Sequence, residues 1–211
     1  MSRRPGKPDR NRLYEIAAAQ EGHFTTAQAA QAGYSPQLLM KHLGGGRIRR
    51  ARRGIYRLVH FPAGDHEDLV VLWLWSERAG VFSHETALAL HDLGDALPAA
   101  VHMTLPAPWA RRRLRVPKGL HLCFADMTDD DRTWAGSVRV TAVARTLVDC
   151  AASRVEPRLV RGAFEEGCGR GLIDRESLPA VIDYLKPFFG ECRKRRHARA
   201  SATRSRVRRS S

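Results

Sequence analysis

The apolar positions of the chain change period along its length, and the changes mark out its elements. Over 10–21 (RNRLYEIAAAQE), Leu13, Ile16 and Ala17 recur at helical spacing among strong helix formers, and Gly22 ends the run. Thr25 and Gln28 then have the spacing of a capping box, and a second helix is expected behind it, through AQAAQA to Gly33. Ser35-Pro36 suits a helix start, serine at the N-cap and proline in the first turn, and predicts a third helix, PQLLMKHL, stopping at Gly44-Gly45-Gly46. On its wheel Leu39 and Leu43 point inward, while Gln37 and Lys41 lie on the opposite face with Met40 beside them. The period next falls to two. Ile48–Ala51 and Ile55–Leu58 read as short strands joined by Arg52-Arg53-Gly54, a three-residue loop with glycine at its left-handed position. Ile48 and Ala51 do not alternate strictly, which predicts a short or bulged first strand. Tyr56 and Leu58 share the face that packs on the helices, and Arg57 is expected to project away from it.

Two short helices around a glycine-containing turn, with a longer helix ahead, make the helix-turn-helix plan, and a hairpin directly behind it is a wing. Beyond Phe61-Pro62-Ala63-Gly64, a linker, the pattern is different. LVVLWLW is apolar on every side and reads as a buried helix, followed by a second helix in VFSHETALALHDLG with Ser83 near its N-cap. Residues 100–105, 119–125 and 138–140 read as strands; 141–153, 157–170 and 174–185 read as helices. The expected fold is α+β: an N-terminal winged helix-turn-helix followed by a mixed α/β C-terminal domain. The boundaries expected are a flexible basic start at 1–9, the winged helix at 10–60, the α/β domain at 65–188, and a disordered arginine-rich tail at 189–211.

Charge changes the meaning of the first domain. The 211-residue chain has a net charge of +14, and it is unevenly spread. Residues 22–64 hold seven Lys and Arg and no acid, 65–185 hold 14 basic against 18 acidic residues, and 186–211 hold ten basic and one acidic. A basic head and tail around a near-neutral body fit a polyanionic partner. On the third helix, glutamine can read adenine and lysine can read guanine or hold phosphate, while Arg52 and Arg53 at the wing tip are placed for phosphate or a narrow minor groove. Arg111-Arg112-Arg113 and Arg115 form a second basic cluster.

Other chemistry finds little support. Ser83-His84 with Asp92 lacks a GxSxG setting, and adjacent residues on a helix point apart. Asp129-Asp130-Asp131 lacks the glycine and glutamate of a calcium loop and reads as a solvated turn. His102 and His121 fall on strands where they can approach, without a further ligand in view. Glu191-Cys192-Arg193, a Glu-x-Lys/Arg match of a nuclease type, lies in the basic tail, and no phosphate-binding or dinucleotide loop is present. The four cysteines, at 123, 150, 168 and 192, have neither CxxC nor zinc-finger spacing and read as reduced thiols. No apolar run reaches membrane length, and the charged N-terminus shows no secretory signal, so a cytoplasmic protein that is no enzyme and needs no metal or cofactor is expected.

FTTAQAAQAGYSPQLLMKHL and RRARRGIYRL, then HEDLVVLWLW, VFSHETALALHDL, PAAVHMTLP and VTAVARTLVDCA, resemble in order the AbiEi-type antitoxins of bacterial toxin–antitoxin systems, over roughly 10–185. The resemblance implies a winged helix-turn-helix that binds inverted repeats in its own promoter and represses the operon. It also implies a C-terminal domain that opposes a nucleotidyltransferase-like toxin without a stable complex. Carried onto this sequence, Gln37, Lys41, Arg49, Arg50, Arg52, Arg53 and Arg57 are the expected DNA contacts, and the protein is expected at the nucleoid. The arginine-rich tail departs from the family pattern. The alternative is a solitary regulator whose middle domain senses a ligand or mediates assembly.

Overall fold

The structure, a computed structural model, describes residues 7–188. The first six residues of the expected flexible start, the whole arginine-rich tail and Glu191-Cys192-Arg193 lie outside the described residues. The described residues form two compact units that alternate along the sequence: 7–83 with Ala100–Thr141, and His84–Ala99 with 142–188.

The first unit begins with α1 (Arg10–Ala18), β1 (His23–Thr25), α2 (Thr26–Gln31), α3 (Pro36–Gly44) and the hairpin β2 (Ile48–Arg52) and β3 (Ile55–Leu58). The strands form an antiparallel sheet in the order β1-β3-β2. Leu13, Ala17, Phe24, Ala29, Tyr34, Leu39, Ile48 and Tyr56 make a core between the helices and one sheet face, with the Phe24 and Tyr56 rings stacked at 6.0 Å. Leu39 is buried as expected, whereas Leu43 is half-buried at the edge of that core.

Then α4 (Glu67–Trp75) leads to a mixed five-stranded sheet in the order β6-β5-β4-β8-β7. Its strands are β4 (Val81–Phe82), β5 (Val101–Leu105), β6 (Leu120–Phe124), β7 (Arg132–Ala135) and β8 (Val138–Thr141). Pairing is parallel for β5/β6 and β4/β8 and antiparallel for β4/β5 and β7/β8. Helix α4 packs on β1 and β3 on one side and on β8 on another, which explains an apolar surface that does not keep to one stripe.

The second unit is helical: α5 (His84–Leu90), α6 (Val143–Ala152), α7 (Pro157–Gly169) and α8, helical from 179 to 188. Leu88, Leu93, Leu147, Cys150, Val160, Phe164, Val181 and Leu185 form its core. The turn after α5 passes so close to α7 that a Cβ on Gly94, at φ +68°, would stand 3.0 Å from Ala163, so glycine is required there twice over.

Several boundaries differ from expectation. Val81-Phe82, which opens the segment read as a helix, is a strand held between β5 and β8, and α5 starts at His84, directly behind Ser83. Helix α8 starts at 179; 174–178 is a turn with a short 3-10 segment, Arg175–Ser177, behind Asp174. The hairpin loop is two residues, Arg53-Gly54, with the irregularity between Arg50 and Arg52 absorbing the expected third.

Candidate nucleic-acid interface

The platform that holds α3 is built from satisfied polar groups. The Thr25 hydroxyl accepts from Gln28 N at 3.2 Å, and Gln28 Oε1 accepts from Thr25 N at 2.8 Å, so the expected capping box forms. The buried Gln28 also exchanges side-chain hydrogen bonds with buried Gln20, whose Nε2 donates further to the carbonyls of Ile16 and His23. One amide pair thus ties α1, β1 and α2 together. Gly33, at φ +81°, makes the turn, and Ser35 Oγ accepts from Leu38 N at 3.2 Å to start α3 with Pro36 in its first turn. Leu39 anchors this helix from below; Gln37, Met40 and Lys41 face solvent. Gln37 and Lys41 are one turn apart, neighbours on the helix surface.

The wing is tied to the same platform. Gly54, at φ +78°, closes its tip, and the Gly54 carbonyl accepts from Thr26 N at 2.9 Å and Thr26 Oγ1 at 3.3 Å. The tip is therefore fastened to the first residue of α2, a link the sequence reading missed although Thr25-Thr26 was in view. Arg49, Arg50 and Arg53 are exposed and Arg52 is half-buried. Among the described residues, Arg50, Arg52, Arg53 and Lys41 have no acidic partner.

Arg57 is a correction. It does not project away: its side chain is 6% exposed. Strand alternation does turn Arg57 to the face opposite Tyr56, but α4 covers that face. Its guanidinium donates to the carbonyls of Leu58, Phe61 and Pro62 at 3.0–3.1 Å and forms an ion pair with Glu67 Oε1. Across the sheet the register aligns His23, Arg57 and Arg49, three basic residues in a row. Glu67 answers two of them, its Oε2 lying 3.2 Å from Arg49 Nη2. Burial alone would raise the Glu67 pKa; the Arg57 hydrogen bond, the Gly64 N–H and the neighbouring positive charge outweigh it and hold the carboxylate below its ordinary range. Burial, with Arg57 adding to it against the opposing pull of Glu67, lowers the pKa of His23, so this ring is neutral near pH 7. Arg57 is occupied inside the protein, and six of the seven expected contacts remain at the surface. Glu67 gave no sequence signal of this role, because its partner is ten residues away in another element.

The other clusters are accounted for locally. His102 and His121 are directly paired across β5/β6 with rings 5.2 Å apart, and among the described residues no group of three metal-ligating side chains forms. Asp131 accepts from Thr128 N and Oγ1, both at 2.9 Å, and Arg132 pairs with Asp129, as suits a solvated turn. Ser83 Oγ accepts from Thr104, while His84 Nε2 lies 3.0 Å from Ser153 Oγ. Cys150 is buried and its thiol pKa is pushed up to about 12 by burial, then by Asp149 and Glu85. Cys123 and Cys168 are half-buried, and Cys192 lies outside the described residues. Among the described residues no helix is long and apolar enough to cross a membrane.

Comparison with known proteins bears out the family resemblance over the first domain: residues 11–59 match the family described as "Transcriptional regulator, AbiEi antitoxin". That match ends at the base of the wing. A search of curated proteins returned no match. Among solved structures, the RV2827C protein from Mycobacterium tuberculosis is similar at 14% identity, covering 82% of this chain and 70% of that one with a TM-score of 0.48.

Proposed function

We propose that residues 10–60 bind double-stranded promoter DNA, with Gln37 and Lys41 of α3 in the major groove and Arg49, Arg50, Arg52 and Arg53 of the wing on phosphates. The observation that carries this reading is the pairing of an exposed polar face on α3 with a tethered wing whose Arg50, Arg52 and Arg53 lack acidic partners among the described residues, within the segment that matches the regulator family. In this reading the protein is a cytoplasmic, nucleoid-associated antitoxin without a catalytic role. It represses its own operon at inverted repeats, and residues 65–188 oppose a nucleotidyltransferase-like toxin without a stable complex.

The family match stops at residue 59, and this favours a second reading, a solitary winged-helix regulator with the same DNA contacts. An electrophoretic mobility shift on the gene's upstream DNA against scrambled DNA, across a salt series, tests the DNA-binding core of both. A preference for the upstream DNA that survives near-physiological salt is expected. Equal binding to both DNAs that vanishes with salt would overturn sequence-specific repression. Growth rescue by this chain during expression of a neighbouring toxin-like gene separates the antitoxin from the solitary regulator.

A further inference from the structure

Beneath α3, within the winged helix, the structure holds a cavity of about 510 Å³ that the DNA-binding reading does not use. Its volume lies within the roughly 300–1,000 Å³ of small-molecule sites. Leu13, Leu39, Ile48 and Leu58 line its apolar part, and three aromatic rings, Tyr14, Tyr34 and Phe61, stand around it. The other described residues that line it are Arg10, His42, Arg47 and His60, with no acid among them. Arg10, Arg47 and His60 are exposed, and neither arginine has an acidic partner among the described residues. A cavity apolar and aromatic within and cationic at its rim matches a molecule with a flat apolar body and one negative end.

We infer that this cavity binds a small aromatic carboxylate, its ring among Tyr14, Tyr34 and Phe61 and its carboxylate held by Arg10 and Arg47. The charge of the rim selects this occupant. The basic segments at either end of the sequence carry the wrong sign, a neutral apolar molecule gains nothing from the two arginines, and a DNA phosphate leaves the apolar part unfilled. The surroundings of His42 report the same positive field: burial first, then Arg47, Lys41 and Arg10, lower its pKa. Leu39 and His42 line the cavity from the helix that presents Gln37 and Lys41 on its other side. On the DNA-binding reading, a bound carboxylate cancels part of the positive potential next to Lys41 and weakens DNA binding.

The test is calorimetric titration of the full chain with 2-naphthoate and, in parallel, with 2-naphthamide, which keeps the ring system and loses the charge. Saturable binding of naphthoate, at least tenfold tighter than the amide, is expected, and the Arg10→Ala/Arg47→Ala double variant removes that advantage. Both substitutions are at exposed positions, and an unchanged circular dichroism spectrum checks that the variant is folded. Absence of saturable binding, equal binding of acid and amide, or an undiminished advantage in the double variant overturns the site. Because the titration contains no DNA, it decides the site even if the DNA-binding reading fails. The same naphthoate added to the mobility-shift assay is expected to weaken binding to the upstream DNA; binding of naphthoate without that effect overturns the coupling.

Discussion

Arg53 and Arg57 stand four residues apart on one hairpin, and their surroundings are opposite. Arg53, at the wing tip, is exposed and has no acidic partner among the described residues. Arg57, at the wing base, is buried, donates to three carbonyls and shares Glu67 with Arg49. The same side chain is thus used for two purposes on one small sheet. At the tip, charge is left for a partner to neutralise; at the base, charge fastens the sheet to α4. A count of basic residues over 22–64 treats the two alike, and only the second sheet face, covered by α4, tells them apart.

The largest effect should come from breaking the base. Arg57→Ala takes the buried donor from three carbonyls and leaves Glu67 with only the Gly64 N–H and Arg49, and is expected to lower stability by about 3 kcal/mol in chemical denaturation, whereas Arg53→Ala should stay within roughly 0.5 kcal/mol. Equal stability of the two variants would erase the distinction. Next, Arg52→Ala/Arg53→Ala should lower the salt slope of DNA binding by about 2 without unfolding the protein. An unchanged slope would remove the tip from the interface.

The base should also show in the pH dependence of stability. His23 has a lowered pKa in the fold, so protons bind the unfolded chain more readily, and stability falls as pH drops below about 6.5 towards the folded value. Glu67, also lowered, contributes stability that is complete above the ordinary carboxylate pKa and is lost as pH falls through its folded value. Glu67→Gln should flatten the acid part of this curve and, by removing the pull of Glu67 on His23, deepen the fall below about pH 6.5; an unaltered acid limb would show that the pair does not govern it. The smallest effect is expected at the tether. Thr26→Val removes one hydroxyl from the Gly54 carbonyl, which keeps the Thr26 N–H, and should cost about 1 kcal/mol or less of stability.

Much of the winged helix was legible because its signals are local. Thr25 with Gln28, Ser35 with Pro36, and Gly54 each act within three or four residues, and each does in the structure what its spacing implies. The broken alternation at Ile48 and Ala51 likewise announced the bulge. What was not legible depends on distant partners. β1 is three residues long and β4 two, lengths at which a strand exists only because its neighbours pair with it. The role of Arg57 depends on α4, and no pattern within IYRL could show that a helix would cover its outer face. Among the residues expected at the interface, the exposure of Gln37, Lys41 and Arg53 is what periodicity and turn chemistry imply, and the burial of Arg57 at the strand centre is not.

The alternation of the two units along the chain has a consequence during synthesis. α5 leaves the ribosome well before α6 and α7, yet Leu88 and Leu93 share their core with Leu147, Val160 and Phe164. Between them the ribosome must still deliver β5 to β8, which belong to the other unit. At ordinary translation rates this leaves two large apolar side chains without their native cover for a time on the order of seconds. During that interval the nascent chain is open to chaperones and proteases that the finished protein would exclude, so its yield depends on how quickly residues 142–188 follow.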